Sequence, residues 1–131
     1  MTHYLLDTNH VGQLVKNDRG LWNRLRSAAN AQFSLCRPST CERWYMVLNS
    51  ARDEENRAKL EQLLDLLKIQ ELDSAACLEF GRIRVELKKL GTPIPQIDMQ
   101  IAAIARVNDL TVLSADRHFS VVRHLRVENW L

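Results

Sequence analysis

The sequence predicts an α/β protein, a three-layer α/β/α sandwich around a mainly parallel sheet of about five short strands. Three observations carry that expectation. Apolar runs such as Tyr4-Leu5-Leu6 and Thr111-Val112-Leu113 lack polar alternation, as strands buried on both faces do. Segments with apolar residues at helical spacing alternate with them, and parallel strands need such crossovers on both faces of the sheet. The length, 131 residues with 46% hydrophobic and 26% charged, suits a single domain over residues 1–131 with one proper core.

The elements follow in order. Tyr4–Leu6 is the first strand, and residues 8–17 are helical through Val11, Leu14 and Val15. A turn at Asn17-Asp18-Arg19-Gly20 leads to a helix with Leu21, Trp22 and Leu25 on one face. Phe33–Cys36 is the second strand, which Pro38 ends because proline cannot donate to a central ladder. A helix from Ser39 to about Ser50 carries Trp44, Tyr45, Val47 and Leu48. The charged segment 52–57 starts another, with Leu60, Leu63, Leu64 and Leu67 as its apolar stripe. Residues 69–72 form a short strand. Residues 74–90 are helical, with Cys77, Phe80, Ile83, Leu87 and Leu90 inward and Gly91 as the stop. Thr92-Pro93-Ile94-Pro95 is a rigid linker to a helix over 97–107. Strands at 111–113 and 125–127 complete the chain.

Several functional classes are excluded. No apolar run approaches the ~18 residues that span a membrane, and there is no basic-then-apolar leader. Neither G-x-G-x-x-G nor G-x-x-x-x-G-K occurs, so a nucleotide cofactor has no support. The three cysteines (Cys36, Cys41, Cys77) form no C-x-x-C pair and read as reduced, mostly buried thiols of a cytoplasmic protein. A net charge of +2 permits a polyanionic partner without demanding one.

Four of the 16 acids do not sit where a solvated charge should. Asp7 ends the first strand, and Asp116 follows the strand at 111–113. Glu42 lies early in the helix after the second strand. Asp98 opens a helix whose neighbouring positions Ile101, Ala102 and Ala105 place it on the packed face, where an unpaired charge costs several kcal/mol. Ligands of open parallel sheets bind beyond the carboxyl ends of the strands. Four acids gathered there would repel one another without a hard cation such as Mg²⁺ or Mn²⁺. Each also has a local explanation. Asp7-Thr8-Asn9 can cap a helix, and Ser39-Thr40-Cys41-Glu42 matches a capping box. Asp98 can complement a helix dipole, and Asp116-Arg117 can belong to a polar turn. None of these explains why all four share one end of the sheet.

The segments Leu5-Leu6-Asp7-Thr8-Asn9, Pro38-Ser39-Thr40-Cys41-Glu42, Ile97-Asp98-Met99-Gln100-Ile101-Ala102-Ala103-Ile104-Ala105 and Leu113-Ser114-Ala115-Asp116-Arg117-His118-Phe119 resemble the PIN-domain family, specifically the VapC-type toxins of bacterial toxin–antitoxin pairs. The third is the most specific, and the likeness covers essentially the whole chain. It implies a PIN-like fold and a metal-dependent endoribonuclease acting on structured RNA, transfer or ribosomal. It implies Asp7, Glu42, Asp98 and Asp116 as the acidic quartet, with Asp7, Asp98 and Asp116 as metal ligands. Thr8, Asn9 and Ser114 are implied as the polar groups that orient them. A homodimer and a small VapB-type antitoxin are the implied partners. Two departures stand out: Arg43-Trp44-Tyr45-Met46 where the family follows its glutamate with Leu and later Gly, and Pro95-Gln96 where a small residue is usual.

Metal-assisted hydrolysis predicts Glu42 as the group that positions or deprotonates the attacking water, and products with 5′-phosphate and 3′-hydroxyl ends. Arg37, Arg117 and His118, with Lys16 and Arg19 beyond the first helix, are candidate RNA contacts or ordinary solvated cations. Trp22 and Trp44 can stack bases, or serve as core or dimer contacts. The alternatives are a catalytically silent PIN-type module that binds RNA or protein, and a phosphatase of the haloacid dehalogenase type. The latter wants D-x-D, and Asn9 stands where its second Asp belongs.

Overall fold

The computed structural model describes residues 1–131. Five strands, β1 (Thr2–Leu6), β2 (Ala31–Cys36), β3 (Lys68–Gln70), β4 (Thr111–Leu113) and β5 (Val127–Glu128), form one sheet in the order β3-β2-β1-β4-β5. Every pairing is parallel, with Leu5 opposite Val112 and Leu6 opposite Leu113. Six α-helices accompany them: α1 (Thr8–Val15), α2 (Arg19–Ser27), α3 (Arg37–Leu48), α4 (Asp53–Leu66), α5 (Ser74–Leu90) and α6 (Gln96–Asn108). A short 3-10 helix, Arg117–Val121, follows β4.

Adjacent strand residues point to opposite faces, so the sheet divides the core in two. Leu5, Cys36 and Val112 pack with Ile83 and Leu87 of α5, Ile101 and Ala102 of α6, and Phe119. Leu6, Leu35 and Leu113 pack on the other face with Val11, Leu14, Leu21, Val47, Leu60 and Leu63. This is the α/β/α sandwich that the apolar strands demanded. The chain builds β1 to β3 outward in one direction and then crosses to β4 on the other side of β1. That reversal opens a crevice beyond the carboxyl ends of β1 and β4, where such sheets bind ligands.

Some local expectations are corrected. Helix α3 begins at Arg37 rather than Ser39, with Pro38 in its first turn and no side-chain cap. The Ser39 hydroxyl lies 3.1 Å from Cys36 Sγ, so Ser39 and Glu42 form no capping box. Helix α1 stops at Val15 because Asn17 turns to φ 63°. The last strand lies at Val127–Glu128. Cys77 and Leu90 are exposed on α5, whose inward face runs through Ala76, Ile83 and Leu87. Only Cys36 of the three free thiols is buried. Gly91 does end α5, at φ 69° in the left-handed region.

Candidate active site

Asp7 is the residue after β1 and the N-cap of α1. Its Oδ1 accepts from the Thr8 amide at 2.7 Å, and its Oδ2 accepts from the Ser114 hydroxyl at 2.7 Å. The helix cap and the site carboxylate are therefore one group in two uses. Ser114 Oγ also accepts from the Asp116 amide at 2.9 Å, which ties the loop after β4 to the end of β1. Asp116 caps the 3-10 helix by accepting from the His118 amide at 2.9 Å.

Asp98 is 6% exposed in the first turn of α6. Its Oδ2 lies 2.8 Å from His118 Nδ1, and the same nitrogen is 3.0 Å from Asp116 Oδ1. Glu42 comes from α3, and its Oε2 accepts from the Thr8 hydroxyl at 2.9 Å. Asp7, Thr8, Asn9, Glu42, Asp98 and Asp116 line one cavity of about 360 Å³, together with Gly12, Gln13, Lys16, Arg43 and Met46.

The electrostatics reflect this crowding. Burial pushes the Asp7 carboxyl above its ordinary range; the Ser114 and Thr8 donors oppose that, and the charges of Asp116 and Glu42 add to it. Burial likewise raises Asp98, with the His118 hydrogen bond opposing and Asp7 and Asp116 reinforcing. The hydrogen bond to Asp98 is the main cause that holds His118 above its ordinary value. Ligand atoms of Asp98, Asp116 and His118 fall within 4.8 Å of one another. An oxygen-rich donor set, costly to ionise alone, suits a hard divalent cation.

The cationic candidates divide. His118 is at the site. Arg37 does not line the cavity; its Nε donates to Glu71 Oε2 at 3.1 Å. Arg117 and Arg19 are exposed outside the lining, whereas Lys16 belongs to it. The Trp22 indole donates to the Leu14 carbonyl at 3.2 Å, and Trp22 and Trp44 both pack on the α1–α4 core. Arg43 is the cavity-lining residue whose place the sequence left open. It sits one position after Glu42, but helical spacing alone did not say which face it would take.

A family model, the PIN domain, matches residues 4–125. The chain belongs to the PIN-domain family. This PIN domain is 35% identical over 133 residues to Ribonuclease VapC2 of Haemophilus influenzae, with 100% of both chains covered. It is 28% identical over 131 residues to a tRNA(fMet)-specific endonuclease VapC of Shigella flexneri, covering 99% of each. Among solved structures it matches VapBC2 from Rickettsia felis bound to a DNA fragment from their promoter. There the TM-score is 0.92 and the identity 27%, covering 99% of this chain and 100% of that one. The parallel sheet between two helical layers is thus the PIN fold that the sequence implied.

Proposed function

We propose that this PIN domain is a metal-dependent endoribonuclease of the VapC type, the toxin of a toxin–antitoxin pair, cutting structured RNA such as transfer or ribosomal RNA. The observation that carries the reading is the convergence of Asp7, Glu42, Asp98 and Asp116 on one cavity at the reversal of strand order. The relatives named as ribonucleases support it across their full length. We take Asp7, Asp98 and Asp116 as the residues that would hold Mg²⁺ or Mn²⁺. The chemistry such an ion supplies when bound is neutralisation of phosphate charge and acidification of water.

The chain's own groups do the rest. Glu42, with Oε2 held by Thr8, keeps Oε1 to take the proton of the attacking water. The water oxygen bonds to phosphorus, the P–O3′ bond breaks, and the leaving 3′-oxygen takes a proton from solvent water while Glu42 later returns its own to solvent. Ser114 and Asn9 hold the two loops that carry Asp7 and Asp116. A VapB-type antitoxin and a second copy of the chain are the proposed partners, the first because the matched structure is a VapBC complex. The whole chain acts as one domain in the cytoplasm.

The test is incubation with bulk transfer and ribosomal RNA in Mn²⁺ or Mg²⁺, followed by end-group analysis. Discrete fragments with 5′-phosphate ends are expected, and Glu42→Gln should slow cleavage roughly 100-fold or more. Cyclic 2′,3′-phosphate ends, or cleavage indifferent to chelator, would contradict the reading.

A further inference from the structure

Arg43 follows Glu42 on α3, and its surroundings are unlike those of a surface arginine. A Cβ placed on Gly12 would lie 3.0 Å from Arg43 Nη1, 3.1 Å from Cζ and 3.3 Å from Nη2. Three such similar distances mean that the flat guanidinium faces Gly12 of α1 closely enough that any side chain there would have to push it aside by a few tenths of an ångström. Although it shares a cavity with four acids, the guanidinium makes an ion pair with none of them. Its Nη1 donates only to Met46 Sδ, at 3.2 Å, and its Nε is buried without a partner.

A half-buried guanidinium whose Nε is shut off from water without a partner is poorly balanced in the free protein. Its planar fork matches two phosphate oxygens. Lys16 is the other cation lining the same cavity. We propose that Arg43, seated on Gly12 and assisted by Lys16, forms a phosphate subsite that holds the RNA backbone beside the cleaved bond. This rests on the ribonuclease reading. The acids handle the reacting phosphate, and Arg43 holds a neighbouring one.

The experiment compares wild type, Arg43→Leu, Arg43→Lys and Gly12→Ala, with transfer RNA as the probe and thermal melts to verify folding. Arg43→Leu should raise KM about tenfold with kcat within about twofold, because a contact held equally in ground and transition states is lost. In the non-cleaving Asp98→Asn background, the slope of log binding constant against log salt should fall by about 1 on losing Arg43. Arg43→Lys should restore the slope but only part of KM, since charge returns without the fork. Gly12→Ala must shift the guanidinium by a few tenths of an ångström, and should raise KM to an intermediate value. An unchanged KM and salt slope in Arg43→Leu would overturn the subsite while leaving the nuclease standing. A loss confined to kcat would overturn it too, by making Arg43 a support for Glu42. If wild type cuts no RNA the nuclease reading fails, and the salt slope of binding still decides the subsite.

Discussion

His10 is fully buried beside the site, and its neighbours set its proton. The Trp130 amide donates to Nε2 at 3.2 Å, so Nδ1 carries the hydrogen and donates to Asn9 Oδ1 at 3.0 Å. The Ala115 amide reaches the same Asn9 oxygen at 3.4 Å. Burial, with Arg24 adding to it, lowers His10 to about 4 from 6.5. The unfolded chain therefore binds this proton first, and stability is lost as pH falls from 6.5 towards 4, by at most ~3 kcal/mol. Urea titrations at pH 7 and 5 in chelator should show a smaller pH dependence for His10→Asn than for wild type, whatever the variant's absolute stability. An equal pH dependence would show that His10 is not the buried neutral group described. At this scale the acids were legible because a carboxylate ending a buried strand or opening a packed helix face is expensive. The His10–Trp130 contact was not, because it joins residues far apart in the chain. Neither was the seat of Arg43, which depends on how α1 meets α3.

Helix α6 is the element on which both core and site depend. Ile101, Ala102, Ala103, Ile104 and Ala105 are all essentially inaccessible, and Asp98 projects from the same helix one turn earlier. Alanine at 102 lets α6 lie close in the core that holds Leu5 and Val112. Ala102→Leu should cost about 2 kcal/mol through overpacking and shift Asp98 away from His118. Chemical denaturation would measure the first effect and the pH titration of His118 by NMR the second. A neutral substitution would mean that α6 is not closely packed. On the far side, α6 is tied to α5 by Arg106, which is 2.8 Å from Glu79 and 3.3 Å from Glu86. Apolar patterning found all six α-helices and five strands, residues 74–90 and 111–113 to the residue, but placed β3 at 69–72 instead of Lys68–Gln70 and read the 3-10 helix at Arg117–Val121 as a turn. It erred where side chains serve two masters. Ser39 turns to Cys36 instead of capping a helix, and Cys77 and Leu90 follow helical spacing yet lie beyond the edge of the buried stripe.

Across the whole molecule, strand order and charge tell one story. The reversal at β1 and β4 gathers carboxylates from four separate segments, and the fold holds them there at a cost. Asp7 and Asp98 are raised above 3.8, so their share of stability is full below that value and lost as pH rises through their folded values. His118, raised above 6.5, acts with the same sign in its own range. In chelator at pH 7, Asp98→Asn should therefore be at least as stable as wild type, by up to about 1 kcal/mol, since the amide still offers His118 an oxygen. A function bought with stability in this way should be repaid by the cation. The most direct test is a thermal melt of wild type and Asp98→Asn, each in chelator and in Mn²⁺. At about 100 times its dissociation constant the ion should stabilise wild type by about 2.7 kcal/mol, or roughly 10 °C, and Asp98→Asn should lose most of that gain. If Mn²⁺ shifts neither protein, Asp7, Asp98 and Asp116 are not a metal site, and the ribonuclease mechanism built on them is wrong.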